Sequence, residues 1–271
     1  MKRINPNYTF VKGTKTNLKL INTVQELLDH VHFIEKRWDV RHLWCRGVSH
    51  ASYDLIPRIY RRTIWKYDVK DAKEIYAEFL RRAKPFIRNQ GEYSKWEWFH
   101  LMQHYGVPTR LLDWTEGAMV ALFFAVRNLK HVSVPCVWVL DPWWLNKVSS
   151  GHDELYYIGA AYQEELDKKI LPLWEDEANL PDFPIAVLPT HIDPRIVSQK
   201  SVFTIHGKKD NGFLDLSRKY REETRIIQLR LNDRKARAII DQLDSLGITE
   251  TALFPDLEGL AREIKFDFDM K

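Results

Sequence analysis

Arg46 and Gly47 end an apolar run of the chain that begins at His42. An arginine at the end of an apolar strand presents a planar fork of donors that matches phosphate oxygens. The glycine that follows lets the backbone turn closely beside such a ligand. A buried ion pair that only supports the fold explains the arginine equally well. The residue types therefore indicate either an anion site or a structural ion pair at Arg46.

The segment from 104 to 115 has the highest density of functional groups in the chain. The residues in it that could contact a ligand are His104, Tyr105, Thr109, Arg110, Asp113, Trp114 and Thr115. A very apolar helix follows directly, and the N-terminus of a helix favours an anion such as pyrophosphate. In the structural alternative, Thr115 only caps this helix and Arg110 pairs with Asp113. The density of hydroxyl, guanidinium, carboxylate and aromatic groups favours a site.

Two later segments contribute further candidates, of which the second is the weaker. Gln199 lies just before a predicted strand, and His206 lies at the end of that strand. We interpret His206 as a hydrogen-bonded structural residue, because a lone histidine is more often that than a catalyst. Glu250 is a candidate carboxylate, although its charge also suits the first turn of a helix.

The composition limits the class of protein. The 271 residues are 45% hydrophobic and carry a formal net charge of +4, with a pI of about 8.9. This balance predicts a globular core and a mildly basic surface that suits a phosphate-bearing ligand or RNA. Cys45 and Cys136 have no disulfide or zinc spacing, so we expect a reducing cytoplasm and no metal. No apolar run is long enough to span a bilayer, and no phosphate-binding glycine loop is present.

Hydrophobic periodicity and turn residues predict an α+β fold with a central mixed or antiparallel sheet flanked by helices. Helices are predicted over 24–38, 71–87, 96–105, 117–126, 233–246 and 257–264. Strands are predicted over 42–48, 109–114, 135–140, 184–188, 202–206 and 225–231. Residues 1–40 are predicted to be an N-terminal extension and helix, loose or peripheral over 1–16, and 41–271 one globular unit. The irregular stretch 147–183 is predicted to be a lid or a surface insertion.

Four segments resemble the FRG-domain family of bacteria and phages. They are Trp44-Cys45-Arg46-Gly47, the stretch 103–125 (QHYGVPTRLLDWTEGAMVALFFA), 196–207 and Phe254-Pro255-Asp256-Leu257. The resemblance covers roughly residues 40–265. The chain departs from the family pattern at Cys45, where Phe or Tyr is usual, and at Ser201, where Gly is usual.

This layout is in turn similar to ADP-ribosyltransferases of the Arg-Ser-Glu kind, which carry their site on a split sheet. The resemblance implies that NAD is the substrate and that Arg46 holds its pyrophosphate. Thr115 (or Thr109) would orient the donor, and Trp114 or Tyr105 would stack on the nicotinamide. Gln199 could hydrogen-bond the ribose but could not act as a base. The remaining residues implied for NAD binding are Gly47, His104, Arg110 and Asp113.

Either Glu250 or Asp113 then supplies the carboxylate, or the acceptor is nucleophilic enough without one. The resulting hypothesis is an NAD-dependent ADP-ribosyltransferase that acts as a toxin or phage-defence effector, with an antitoxin as a partner. Its acceptor would be a macromolecule, with RNA favoured over protein by the basic pI and the abundant aromatic residues. One alternative is a non-catalytic module that binds a nucleotide or nucleic acid. The other is a hydrolase or nuclease that uses Asp113, His104 and Glu250.

Overall fold

In the computed structural model of the chain, a nine-stranded sheet connects the two halves of the sequence. The structure describes residues 8–11, 14–17, 19–61, 72–87, 93–128, 134–158, 181–209 and 211–268. The strands are β1 (Tyr8–Val11), β2 (Thr14–Asn17), β3 (Trp44–Val48), β4 (Leu111–Thr115), β5 (Cys136–Leu140), β6 (Tyr156–Ile158), β7 (Ile185–Pro189), β8 (Ser201–Ile205) and β9 (Ile226–Arg230). Their order is β1-β2-β9-β5-β3-β4-β8-β7-β6. The pairs β2–β9 and β6–β7 are parallel and the other pairs are antiparallel, which confirms the predicted mixed sheet.

The helices cover the sheet and their ends follow capping rules. They are α1 (Val24–Trp38), α2 (Ala72–Ala83), α3 (Lys95–His104), α4 (Ala118–Val126), α5 (Pro142–Ser150), α6 (Pro194–Ser198), α7 (Gly212–Lys219), α8 (Ala236–Ser245), α9 (Glu250–Leu253) and α10 (Leu257–Asp267). The side chain of Thr23 accepts the Glu26 N–H and caps the start of α1. Ser94 and Glu97 form a reciprocal capping box that starts α3.

The pairing of β3 with β4 is unusually short. These strands share one registered pair, Cys45 with Thr115, whereas β3 with β5 and β4 with β8 pair along their full length. Beyond Cys45 the two strands therefore diverge, and the sheet opens near its centre. The side chain of Arg46 crosses this opening and donates from Nη1 to the carbonyl oxygen of Asp113.

Helix α4 packs closely on β3 because of Gly47. A Cβ atom on Gly47 would lie 1.8 Å from the carbonyl oxygen of Ala121, so only glycine permits this distance. The helix is buried nearly all round, as its apolar sequence predicts. Leu27 of α1 and Ile239 of α8 belong to the same hydrophobic cluster. This packing holds the end of β3, and with it Arg46, in a fixed position.

The opposite face of the sheet is covered by a second cluster rich in tryptophan. Trp44, Trp114 and Trp138 of the sheet pack there with Phe213 of α7. A third cluster joins α3, through Trp96 and other apolar residues, to the β7–β8 end of the sheet. Burial of these rings accounts for much of the high tryptophan content.

The elements differ from the sequence predictions in three places. The helix predicted over 233–246 begins as a 3₁₀ turn over Asp233–Lys235, which Asn232 caps. Residues 8–11 and 14–17 form strands at one edge of the sheet, so this part of the N-terminus is peripheral, one of the two expectations, and is not loose. Strand β6 was not predicted at all.

The stretch 147–183, which was expected to be a lid or an insertion, is only partly described. The end of α5 lies in it, and so does the short strand β6. Residues 159–180, which carry most of this prediction, lie outside the described residues. Among the helices that the structure describes, each is too short or too polar to cross a bilayer.

Candidate active site

A cleft of about 320 Å³ lies where β3, β4 and β8 meet α3 and α6. Its polar lining consists of Arg46, Gln103, His104, Asp113, Thr115, Arg195, Gln199 and Ser201, and its aromatic lining of His100, Trp114, Phe124, Phe203 and Phe254. Seven of the predicted site residues border this cleft. They are Arg46, Gly47, His104, Asp113, Trp114, Thr115 and Gln199. The cleft therefore joins residues from three separate parts of the sequence.

The Arg46 side chain is largely buried, and the carboxylate of Asp113 compensates its positive charge only in part. Its Nη1 atom lies 3.6 Å from Oδ2 of Asp113. Burial lowers the pKa of Arg46, the charge of Asp113 raises it, and the nearby Arg61 lowers it further. A desolvated guanidinium that a second cation disfavours is stabilised by an additional anion. This arrangement indicates an anion-binding position beside Asp113.

A smaller cavity of about 220 Å³ adjoins the cleft and contains two more arginines, Arg58 and Arg61. Arg58 is the first residue of the 3₁₀ turn Arg58–Tyr60 and Arg61 follows it, and residues three positions apart in such a turn lie on the same side. Arg58 donates to the Gly106 carbonyl oxygen at 2.8 Å. The cavity is lined by three guanidinium groups and one carboxylate, that of Asp113, so its lining charge is 3 − 1 = +2. Sequence reasoning missed both of these arginines.

Asp113 is held by a short chain of hydrogen bonds that begins at Thr109. The Thr109 hydroxyl donates to Oε1 of Gln103, and Nε2 of Gln103 lies 3.0 Å from each carboxylate oxygen of Asp113. Thr109 is itself buried and is not part of the cleft lining. The Asp113 side chain is 53% exposed, so its oxygens remain accessible to a ligand. Gln103 was not among the predicted site residues, although it begins the segment that carries the resemblance.

Thr115 and Gln199 connect β4 to the turn after α6. The Thr115 hydroxyl donates to the Gln199 carbonyl oxygen at 2.7 Å and accepts the Gly117 N–H at 2.9 Å. The side-chain amide of Gln199 donates to the Leu253 carbonyl oxygen at 2.9 Å. The Thr115 hydroxyl thus donates one hydrogen bond and accepts another within the protein. This arrangement favours a role in which Thr115 positions Gln199 and does not contact the ligand.

Glu250, one of the two predicted carboxylates, is not part of the cleft lining. Its oxygens lie 2.6 Å from Arg127 and 3.0 Å from Arg262, and its side chain is only 15% exposed. The ring of Phe254 lies beneath both guanidinium groups. Glu250 therefore neutralises a cluster of arginines that stabilises the C-terminal part of the fold.

Two further predicted residues also lie away from the cleft lining. Arg110 is buried, and its carbonyl oxygen accepts the His206 N–H. Tyr105 is largely exposed and its ring contacts His104, 4.8 Å away between centroids. His104 borders the cleft itself, with Nδ1 at 3.3 Å from Asp193.

His206 is buried and hydrogen-bonded, as interpreted from the sequence. Its Nε2 lies 3.2 Å from the Thr204 hydroxyl, and that hydroxyl accepts the Trp114 indole N–H at 3.1 Å. Because the Thr204 oxygen receives a proton from Trp114, its own proton is directed to Nε2 of His206. Burial, with a smaller contribution from Arg46, lowers the pKa of His206 to about 3.

A second buried histidine, His100, borders the cleft and was missed from the sequence. It lies on the apolar face of α3, and its ring stacks on Phe203 with centroids 4.8 Å apart. Burial lowers its pKa to about 3. The only sequence signal was a histidine four residues after Trp96, next to the apolar residues Phe99 and Leu101.

One family model matches part of the chain. The family model of the FRG domain matches residues 41–133. The matched range includes Arg46, His100, Gln103 and Asp113, and it ends before α6 and Gln199. No curated protein and no solved structure matches the chain.

Proposed function

Because the FRG-domain model matches residues 41–133, we propose that the cleft is the active site of an NAD-dependent ADP-ribosyltransferase. The observation that carries this proposal is the arginine-lined cavity beside the cleft, which has a lining charge of +2. The pyrophosphate of NAD carries two negative charges, and arginine forks match its oxygens. The donor would therefore lie with its pyrophosphate on Arg46, Arg58 and Arg61 and its ribose in the cleft.

The reaction breaks the bond between ribose C1′ and the nicotinamide nitrogen. The electron pair of that bond leaves with nicotinamide, and C1′ gains positive charge, as in glycoside cleavage. A lone pair of the acceptor forms the new bond to C1′, and the acceptor loses one proton. NAD⁺ and the protonated acceptor thus yield the ADP-ribosylated acceptor, nicotinamide and one proton.

Asp113 is the carboxylate that suits this chemistry. It borders both the cleft and the arginine cavity, and Gln103 orients its two oxygens. Its negative charge would stabilise the ribose cation, and its exposed oxygens would accept the proton of the acceptor. Gln199 would contribute a hydrogen bond to the ribose, while Thr115 would position Gln199.

The acceptor that we favour is RNA. A net charge of +4 favours a polyanion over a neutral or basic protein surface, and aromatic side chains suit unstacked bases. The resemblance adds a role as a cytoplasmic toxin or phage-defence effector, restrained by an antitoxin. A non-catalytic nucleotide-binding module remains the second candidate, because Gln199 stands where the Arg-Ser-Glu enzymes use a glutamate.

The proposal is tested by incubating wild type and Asp113→Asn with NAD labelled in its adenylate phosphate. Total RNA and cell extract serve as separate acceptors. Asp153→Asn is the matched control, because it changes an exposed aspartate that is not part of the cleft lining. We expect label on RNA with wild type and with the control, and about 10²–10³-fold slower transfer by Asp113→Asn.

The outcomes separate the two candidates. Transfer by Asp113→Asn at the wild-type rate would contradict the role of this carboxylate. NAD binding without transfer to any acceptor would favour the binding module. Label on protein with none on RNA would support the transferase and reject RNA as its acceptor.

A further inference from the structure

We propose that His100 is a specificity residue that hydrogen-bonds the carboxamide of the nicotinamide ring. The inference deepens the proposed function and rests on it for the identity of the ligand. It starts from an unusual feature of the cleft wall. The His100 side chain is 97% buried, yet neither ring nitrogen has a hydrogen-bond partner among the residues that the structure describes.

Buried polar groups in folded proteins nearly always have hydrogen-bond partners. His206 follows this rule at Nε2, which is bonded to the Thr204 hydroxyl, whereas its Nδ1 has no partner among the described residues. His100 differs from His206 in that it borders the cleft. A polar group that borders a cleft and lacks a partner in the protein can form a hydrogen bond with a ligand instead. The protein then binds more tightly a ligand that makes this hydrogen bond.

The His100 ring is held in place by the residues packed around it. Trp96, Phe99 and Met102 on the same helix are buried and anchor α3. Phe203 of β8 covers one face of the imidazole, with an angle of 23° between the two rings. The stacking fixes the plane in which both nitrogens can form hydrogen bonds. A ring held in this way selects a ligand by geometry, without ordering a mobile side chain on binding.

The protonation state defines the kind of group that His100 can recognise. Burial keeps the ring uncharged at neutral pH, with a pKa of about 3. A neutral imidazole offers one N–H donor and one nitrogen acceptor. Its two nitrogens point in different directions, so one of them pairs with a ligand atom that is either an acceptor or a donor. A primary carboxamide offers an uncharged atom of each kind, and so do the nucleobases.

The neighbours of His100 favour the carboxamide over a base. Gln103 lies one helical turn away on the same face of α3 and holds Asp113, the proposed catalytic carboxylate. Side chains three residues apart on a helix are roughly 5–6 Å from each other. A ligand group that hydrogen-bonds to His100 therefore lies close to Asp113 and to the C1′ atom that reacts there. The nicotinamide ring is bonded to C1′, whereas the adenine of NAD lies beyond the pyrophosphate.

The test compares wild type with His100→Phe and His100→Gln in calorimetric titrations with NAD, nicotinamide and ADP-ribose. Phenylalanine retains the stacking on Phe203 and removes both nitrogens, and glutamine retains a donor and an acceptor. The control is His152→Phe, which changes an exposed histidine. We expect His100→Phe to raise the Kd for NAD and nicotinamide at least tenfold and to leave that for ADP-ribose unchanged. His100→Gln should recover part of the affinity.

Thermal unfolding provides a readout that a structural role would not give. A buried polar group without hydrogen-bond partners destabilises the folded state, because its desolvation is not compensated. Removing it should therefore leave the Tm of His100→Phe equal to or above that of wild type. A lower Tm, or NAD and nicotinamide binding as tight as wild type, would overturn the inference while the proposed function stands. A loss confined to ADP-ribose would reassign His100 to a base and overturn the carboxamide assignment. Wild type that binds no NAD would overturn both proposals.

Discussion

Acid should destabilise this protein through its two buried histidines. His100 and His206 each have a folded-state pKa of about 3, because burial disfavours the charged ring. In the unfolded chain an imidazole titrates near 6.5, so the unfolded state binds the proton first as the pH falls. The stabilising contribution of each neutral ring is complete above pH 6.5 and is lost as the pH falls from 6.5 toward 3.

The magnitude follows from these two pKa values. Between pH 7 and pH 5 each histidine should reduce the free energy of unfolding by about 2 kcal/mol, and the pair by about 4 kcal/mol. Domains of this kind are typically stable by about 5–15 kcal/mol, so the effect is a large part of the total. In His100→Phe the loss between pH 7 and pH 5 should therefore be about 2 kcal/mol smaller than in wild type.

Urea unfolding followed by circular dichroism at pH 7, 6 and 5 measures this difference. The exposed His152→Phe variant serves as the control, because it should show the pH dependence of wild type. Carboxylates also contribute to acid unfolding, but they are common to all three proteins and cancel in the comparison. If His100→Phe lost stability with pH as steeply as wild type, the imidazole of His100 would not be buried in its neutral form.

Two further substitutions test the structural roles assigned to predicted site residues. Gly47→Ala should destabilise the protein by about 1–3 kcal/mol, because its Cβ would lie 1.8 Å from the Ala121 carbonyl oxygen. An unchanged Tm would contradict this packing argument. Glu250→Ala should cost about 3–5 kcal/mol, because it leaves the largely buried Arg127 without its carboxylate and Arg262 with only Glu258, and it should not change nicotinamide release per folded molecule. A folded variant without activity would instead make Glu250 the catalytic carboxylate.

The parts of the fold that could be predicted were those with strong local patterns. The apolar helix α4 follows from a run that leaves no polar face, and β3 and β4 follow from apolar stretches bounded by breakers. Arg46 and Asp113 could be singled out because their polar groups interrupt these stretches. Their proximity depends on how β3 and β4 diverge, which no local pattern encodes.

The parts that were missed depend on contacts between distant residues. Arg127 and Glu250 are separated by 123 positions, so the ion pair that removes Glu250 from the candidate site was invisible in the sequence. Strand β2 pairs in parallel with β9, more than 200 residues later, and a short polar strand gives little local signal. His100 was missed for another reason, since a lone histidine on an apolar helix face usually belongs to the core.

The most direct test of the central claim is the rate of nicotinamide release from NAD by wild type and by Arg46→Gln. Both proteins are assayed with total RNA and with cell extract, and circular dichroism verifies that the variant is folded. The account predicts release by wild type and a rate about 10²–10³-fold lower in Arg46→Gln, because the pyrophosphate loses its central arginine. Absence of both NAD binding and nicotinamide release in wild type, with every acceptor, would contradict the account.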